Sequence, residues 1–281
     1  MAKRGGGLSE DPAGPLLALS QVNVGFGGVR AVDGLSFSVE AGSIVSLIGP
    51  NGAGKTTALN AISGFVSASG SVSFCGRELL KLPAHRRAGL GIGRTFQNLQ
   101  LFTGLSLLDN ILIGQHVPLG GNVALDALRF PVLRREREAT KRAHEILEEL
   151  GIERYAARGV EDLPFGVQKL AGVARALALT PSLLLLDEPA AGLSHAEVMG
   201  LGTVVEKLQR TRGLTILLVE HNMRLVMSIS ERIVVLDEGR TLAEGSPAEV
   251  RLNPMVVEAY LGTGASRKVV EEVQNELAKR S

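Results

Sequence analysis

The run Gly49-Pro50-Asn51-Gly52-Ala53-Gly54-Lys55-Thr56-Thr57 has the composition of a phosphate cradle and fits G-x-x-x-x-G-K-[ST]. Its glycines let consecutive backbone N–H groups curl around phosphate oxygens. Lys55 supplies a point charge to β- and γ-phosphates, and the Thr56 hydroxyl can ligate Mg²⁺. A second group, Leu183-Leu184-Leu185-Leu186-Asp187-Glu188, runs four apolar residues straight into two acids. Asp187, at the mouth of a buried strand, suits a water-mediated contact to the metal. Glu188 faces elsewhere and is placed to activate water for attack on a γ-phosphate.

These groups need a scaffold, and the flanking residues predict one. The β-branched and leucine run over 44–48 ends in Gly49, as a buried strand meeting a loop would. Ala58, Leu59, Ala61 and Ile62 follow with helical spacing, so the helix N-terminus points at the anion. Residues 183–186, 215–219 and 232–236 have the same strand character. Leu35, Phe37 and Val39 alternate with serines like a half-buried strand. Ala143, Ile146, Leu147 and Leu150 recur at helical spacing. Strands alternating with helices predict an α/β fold around a largely parallel sheet.

Residues 98–178 are expected to form an inserted helical subdomain, with the charge-dense stretch 134–142 as a solvated helix face. Residues 1–14, rich in Gly, Pro and charge, read as a frayed N-terminal tail, and 15–263 as the globular part. Over 264–281, Val269, Val270, Val273 and Leu277 allow a short helix, with a fraying tail as the alternative.

Composition sets the boundaries. With 30 basic and 29 acidic side chains the formal net charge is +1, which argues against a nucleic-acid partner. No stretch approaches ~18 consecutive apolar residues, so no bilayer-spanning helix is expected. The single cysteine, Cys75, excludes a disulfide framework and a cysteine-based zinc site. The N-terminus lacks the apolar core of a secretory signal, and the chain reads as soluble and intracellular. Its 34 glycines exceed the roughly 7% of average proteins without periodicity, which points to tight loops approaching a ligand.

Further motifs place these groups in a known order. Gln97 lies in Arg94-Thr95-Phe96-Gln97-Asn98, and Gly166 in Leu163-Pro164-Phe165-Gly166-Val167-Gln168. Ala191-Gly192-Leu193-Ser194 follows the two acids, and His221 stands in Glu220-His221-Asn222. From about residue 16 to 262 the chain resembles the ATP-binding subunits of ABC transporters. Their Q-loop, signature motif, D-loop and switch histidine fall at those positions in that order. Phe26 sits where the family places an aromatic that stacks on adenine. Ala190-Ala191-Gly192-Leu193, Leu101-Phe102 and Ala259-Tyr260-Leu261-Gly262 are similar to the branched-chain amino-acid importers of the LivG type.

The resemblance implies a RecA-like P-loop core, an antiparallel β-subdomain before the phosphate loop and an inserted helical subdomain. It implies ATP and Mg²⁺ as ligands. Nucleotide would contact Phe26, residues 49–57 and, in the opposing chain, Gly166; metal would contact Thr56, Gln97 and Asp187; and catalysis would fall to Glu188, His221, Gln97 and Lys55. The implied partners are transmembrane permease subunits, which would hold the chain on the cytoplasmic face of the membrane through a groove beside residues 96–105. A second ATPase subunit or another copy of this chain would complete a dimer, and an extracytoplasmic solute-binding protein would act indirectly. Urea or amide importers, lipid or lipopolysaccharide exporters and soluble ABC ATPases remain as alternatives.

Two positions depart from the family pattern. Pro164 replaces the signature serine, with Phe165 and Val167 beside it, and Ser194 replaces the D-loop aspartate. Proline supplies neither hydroxyl nor N–H. The expectation is an asymmetric heterodimer whose slower site uses residues 164–167 of this chain.

Overall fold

Every residue of β3 (Ile44–Ile48), β7 (Leu183–Asp187) and β8 (Thr215–Val219) is buried. Runs this rich in apolar residues, with Ser46, Asp187 and Thr215 the exceptions, suit parallel strands covered on both faces. The computed structural model describes residues 14–97, 99–115 and 129–261, the side chains of 129–135 and 261 excepted. It places the three strands in a six-stranded sheet of order β10-β9-β3-β8-β7-β6. The others are β6 (Ile92–Arg94), β9 (Arg232–Asp237) and β10 (Arg240–Gly245). β9, β3, β8, β7 and β6 run parallel, and β10 pairs antiparallel with β9.

Side chains alternate between faces along a strand, and here each face has its own core. Leu184, Leu186, Ile216 and Leu218 enter one core. Leu183, Leu185, Leu217 and Val219 enter the other. The second core also takes α1 (Lys55–Ser63) and the inward residues of a four-stranded antiparallel sheet, order β2-β1-β4-β5. Those strands are β1 (Leu17–Phe26), β2 (Val29–Val39), β4 (Ser69–Phe74) and β5 (Arg77–Glu78).

The antiparallel layer does not lie wholly before the phosphate loop, as expected from the sequence. β4 and β5 follow it, because β1 pairs with β2 on one edge and β4 on the other, Leu17 opposite Phe74 and Leu19 opposite Val72. Gly70, standing where the register of Val72 and Phe74 calls for a third apolar side chain, shortens the alternating pattern of β4 to two residues.

The first core is closed by helices. α3 (Leu107–Gly114), α4 (Arg129–Glu149) and α5 (Phe165–Leu177) come from the middle of the chain, and α6 (His195–Arg212) and α7 (Met223–Ile229) follow β7 and β8. Ala143, Ile146 and Leu147 of α4 are buried at their predicted spacing. Glu136, Arg137, Glu138, Lys141 and Arg142 are exposed, as a solvated face should be. Short α2 (Ala84–Gly89) precedes β6, and α8 (Pro247–Leu252) and α9 (Pro254–Leu261) follow β10. The expected segment 264–281 and residues 1–13 of the N-terminal tail lie outside the described residues, as does Asn98.

Candidate functional site

The C-terminal ends of parallel strands are where open α/β sheets bind ligands. Four sequence-predicted groups meet there, because β3, β8, β7 and β6 are consecutive neighbours. The phosphate loop leaves β3, Asp187 ends β7 with Glu188 directly after it, Glu220 and His221 follow β8, and Gln97 follows β6. Residues more than a hundred positions apart are thereby brought within hydrogen-bond reach.

The loop over residues 49–54 depends on glycine at two points. A Cβ on Gly49, at φ 150°, would lie 2.0 Å from the Leu236 carbonyl oxygen. One on Gly54, at φ 98°, would lie 2.3 Å from that of Ala31. Ala53 is buried, whereas Asn51, Gly52 and Thr56 are exposed, and Pro50 and Thr57 are half-buried. α1 starts at Lys55 with Gly54 as its N-cap, without a side-chain cap or an acid in its first turn. Its first N–H groups therefore form an anion-accepting end.

Lys55 is buried and donates to the carbonyls of Gly49 at 2.8 Å and Pro50 at 2.9 Å. Burial pushes its pKa down, while the charges of Glu188 and Asp187 oppose that shift. Thr56 Oγ1 donates to Asp187 Oδ1 at 3.4 Å. A hydroxyl and a carboxylate so close are hard oxygen donors suited to Mg²⁺. Among the described residues there is no cluster of three or more His, Cys, Asp or Glu that would hold a metal. A cation at Thr56 and Asp187 would thus need further oxygens, which bound phosphates can provide.

Glu188 sits beside this pair at φ 46°, a conformation uncommon for a non-glycine residue. Its backbone N–H donates to the Val219 carbonyl, fixing it to β8. Gln97 Nε2 donates to Glu188 Oε2 at 2.9 Å, and His221 Nδ1 lies 4.0 Å from the same oxygen. His221 is largely exposed, at 57% for its side chain, so its ring is free to meet an arriving group. Carboxylate, amide and imidazole surround a point where a water or phosphate oxygen can bind.

Two predicted contacts lie apart from this cluster in the sheet. Phe26 ends β1 and is 52% exposed, so it is not a core phenylalanine. Gly166 lies in the first turn of α5, where Pro164 is the N-cap and provides no side-chain acceptor. The neighbouring Phe165 is half exposed and packs against Gly192. Ser194 caps α6 through a reciprocal box with Glu197, so its hydroxyl is engaged within its own chain.

Structure also reveals residues that sequence reading passed over. Glu220 is fully buried, and its carboxylate accepts from the N–H groups of Ala190 at 2.7 Å, His221 at 3.0 Å and Asn222 at 3.1 Å. It ties the loop after Glu188 to the His221 loop. Its place directly before His221 was the available signal, but a lone acid at a strand end reads as surface charge. Glu220→Ala leaves three N–H groups without their acceptor and should cost about 3 kcal/mol. Urea unfolding measures this directly, and a change under about 0.5 kcal/mol would contradict it. Arg94 is the other omission, with Nη2 3.0 Å from Asp187 Oδ2.

The ABC transporter family model matches residues 32–191, more than half of the chain, and a model for branched-chain amino acid ATP-binding cassette transporters matches residues 240–266. The chain is 43% identical over 250 residues to the high-affinity branched-chain amino acid transport ATP-binding protein BraF of Pseudomonas aeruginosa, covering 88% of this chain and 98% of BraF. It is 35% identical to the lipopolysaccharide export ATP-binding protein LptB of Escherichia coli, over 84% of this chain and 92% of LptB. The ADP conformation of MJ1267, an ATP-binding cassette of an ABC transporter, superposes with TM-score 0.78 at 32% identity, covering 88% of this chain and 98% of that one.

Proposed function

We propose, because this chain belongs to the ATP-binding subunits of ABC transporters and to their branched-chain amino-acid branch, that it powers movement of branched-chain or other hydrophobic amino acids through separate membrane permeases. The single observation that carries the ATPase reading is the meeting of Lys55, Thr56, Asp187, Glu188, Gln97 and His221 at the C-terminal ends of neighbouring parallel strands. The amino-acid reading is supported by the match over residues 240–266, a segment outside the nucleotide motifs.

The phosphate loop binds the β- and γ-phosphates through backbone N–H groups and Lys55, which exchanges the Gly49 and Pro50 carbonyls for phosphate oxygens. Thr56 and Asp187 would hold Mg²⁺, which would supply positive charge to offset that of the phosphate oxygens. Glu188 takes a proton from the attacking water, Gln97 orients that water, and His221 hydrogen-bonds the γ-phosphate. Phe26 stacks on the base. Gly166 approaches the nucleotide held by the opposing chain. Pro164 brings no hydroxyl there, so the site it completes turns over more slowly.

No helix among the described residues is long and apolar enough to cross a membrane. Large apolar side chains are exposed on either side of Gln97 in the sequence. Phe65, Phe102 and Leu105 are exposed, and a hollow of about 240 Å³ opens between Phe65, Phe96, His85 and Ala88. Exposed aromatics of this kind mark a partner site, and a permease helix is the partner this family needs. Phe102→Asp should lower permease co-purification at least tenfold while ATP affinity stays within twofold, measured by pull-down and by nucleotide titration.

The deciding experiment is a membrane pull-down with Glu188→Gln chain loaded with ATP, read by mass spectrometry. Two permeases, a second ATPase and a binder of branched-chain amino acids are the expected set. Exporter-type membrane partners or ribosomes would keep the ATPase and overturn the amino-acid assignment.

A further inference from the structure

We propose that Arg94 is a positioning residue for the metal site: it holds the Asp187 carboxylate in the orientation that presents Oδ1 to Mg²⁺. This inference rests on the reading of Thr56 and Asp187 as the metal-holding pair.

The geometry starts from strand register. β6 and β7 are parallel, with Arg94 opposite Leu185. Asp187 lies two residues beyond Leu185, hence on the same face of β7, within reach of the Arg94 side chain. Nη2 of Arg94 sits 3.0 Å from Asp187 Oδ2, with both side chains nearly inaccessible at 6% and 2%. The carboxylate is thereby divided: Oδ2 belongs to the arginine and Oδ1 to Thr56. The backbone is held from the same segment, since Asp187 N–H donates to Thr95 Oγ1 at 3.2 Å.

Arg94 is itself fixed on three sides. Nη1 donates to Ser63 Oγ at 3.1 Å, at the last turn of α1. Its guanidinium carbon lies 5.6 Å from the Phe65 ring centroid and 5.0 Å from that of Phe96. The two rings meet edge to face at 5.5 Å. Arg94 Nε finds no acceptor, so this buried arginine is not placed to satisfy all its own donors. Its directed bonds go to the metal-holding acid and to the helix that begins at the phosphate loop.

A planar fork suits this task better than an ammonium, because it can bond Asp187 and Ser63 at once. Partners that orient a metal-holding group usually change metal affinity ~10–100-fold when removed. The segment 94–97 also serves both acids, Arg94 reaching Asp187 and Gln97 reaching Glu188.

The test is equilibrium ATP binding against Mg²⁺ concentration, on the full chain in a Glu188→Gln background so that nothing is hydrolysed. Arg94→Met keeps an unbranched apolar stem against the two rings and removes the fork. Its Mg²⁺ half-saturation should rise about tenfold, with Mg²⁺-free ATP affinity unchanged. Arg94→Lys should rise about threefold, and it carries the test if Arg94→Met does not fold. Asp187→Asn is the control for the underlying reading. If Asp187→Asn leaves the Mg²⁺ dependence unchanged, the metal assignment fails. If Asp187→Asn shifts it and folded Arg94 variants match the parent, or lose Mg²⁺-free and Mg²⁺-bound affinity together, the positioning role is overturned.

Discussion

Glu188→Gln is expected to lower kcat for ATP by about 10²–10⁴-fold while ATP binding persists. Glutamine has nearly the same shape but no basic oxygen to receive the proton of attacking water. The surroundings are set to keep that shape: Glu188 N–H is tied to the Val219 carbonyl, and Gln97 donates to Oε2 at 2.9 Å. His221, 4.0 Å from the same oxygen, remains to meet the γ-phosphate. Phosphate release measured with saturating ATP gives kcat, and equilibrium titration gives affinity. Turnover within threefold of the parent would place the base elsewhere.

Lys55→Met should act on binding instead, weakening ATP affinity by roughly 10–100-fold, the size of a lost charge-assisted hydrogen bond to phosphate. Lys55 is buried in the loop with its ammonium on two carbonyls and two carboxylates nearby. Methionine fills the channel of the aliphatic stem but supplies no donor and no charge. Without Lys55, Asp187 and Glu188 confront the triphosphate with one cation fewer, so repulsion adds to the lost bond. Nucleotide titration at fixed Mg²⁺ checks this, and affinity within twofold of the parent would remove Lys55 from the phosphate site. Thermal unfolding of the nucleotide-free variant reads the separate loss at Gly49 and Pro50.

The two variants separate chemistry from binding. A chain that binds but does not turn over, beside one that scarcely binds, is the pattern expected when base and phosphate anchor follow different strands. The first directly follows β7, and the second lies where the loop after β3 enters α1. Glu220 and Arg94 act between them, each joining one strand end to its neighbour.

Much of this was legible in the chain itself. The phosphate loop is a local motif, in which spacing of glycines, Lys55 and Thr56 follows from the ligand they surround. The fully buried strands showed as short, largely apolar runs, because strands covered on both faces have no polar side to alternate. The solvated face of α4 showed as a run of mixed charge. β4 was hidden by Gly70, and β6 by its brevity and terminal arginine, since both are held by neighbours and not by their own composition.

What the sequence alone determined is the ABC ATP-binding family and the groups proposed to react, because both reside in short segments with fixed residue types. What only the tertiary structure decided is which groups serve one another. Arg94 meets Asp187 across 93 positions, and Glu220 meets Ala190 across 30. Those pairings arise from strand order and register, which place β6 beside β7 and β7 beside β8. A buried charge needs a partner wherever the fold brings one, and no local pattern announces which residue that will be.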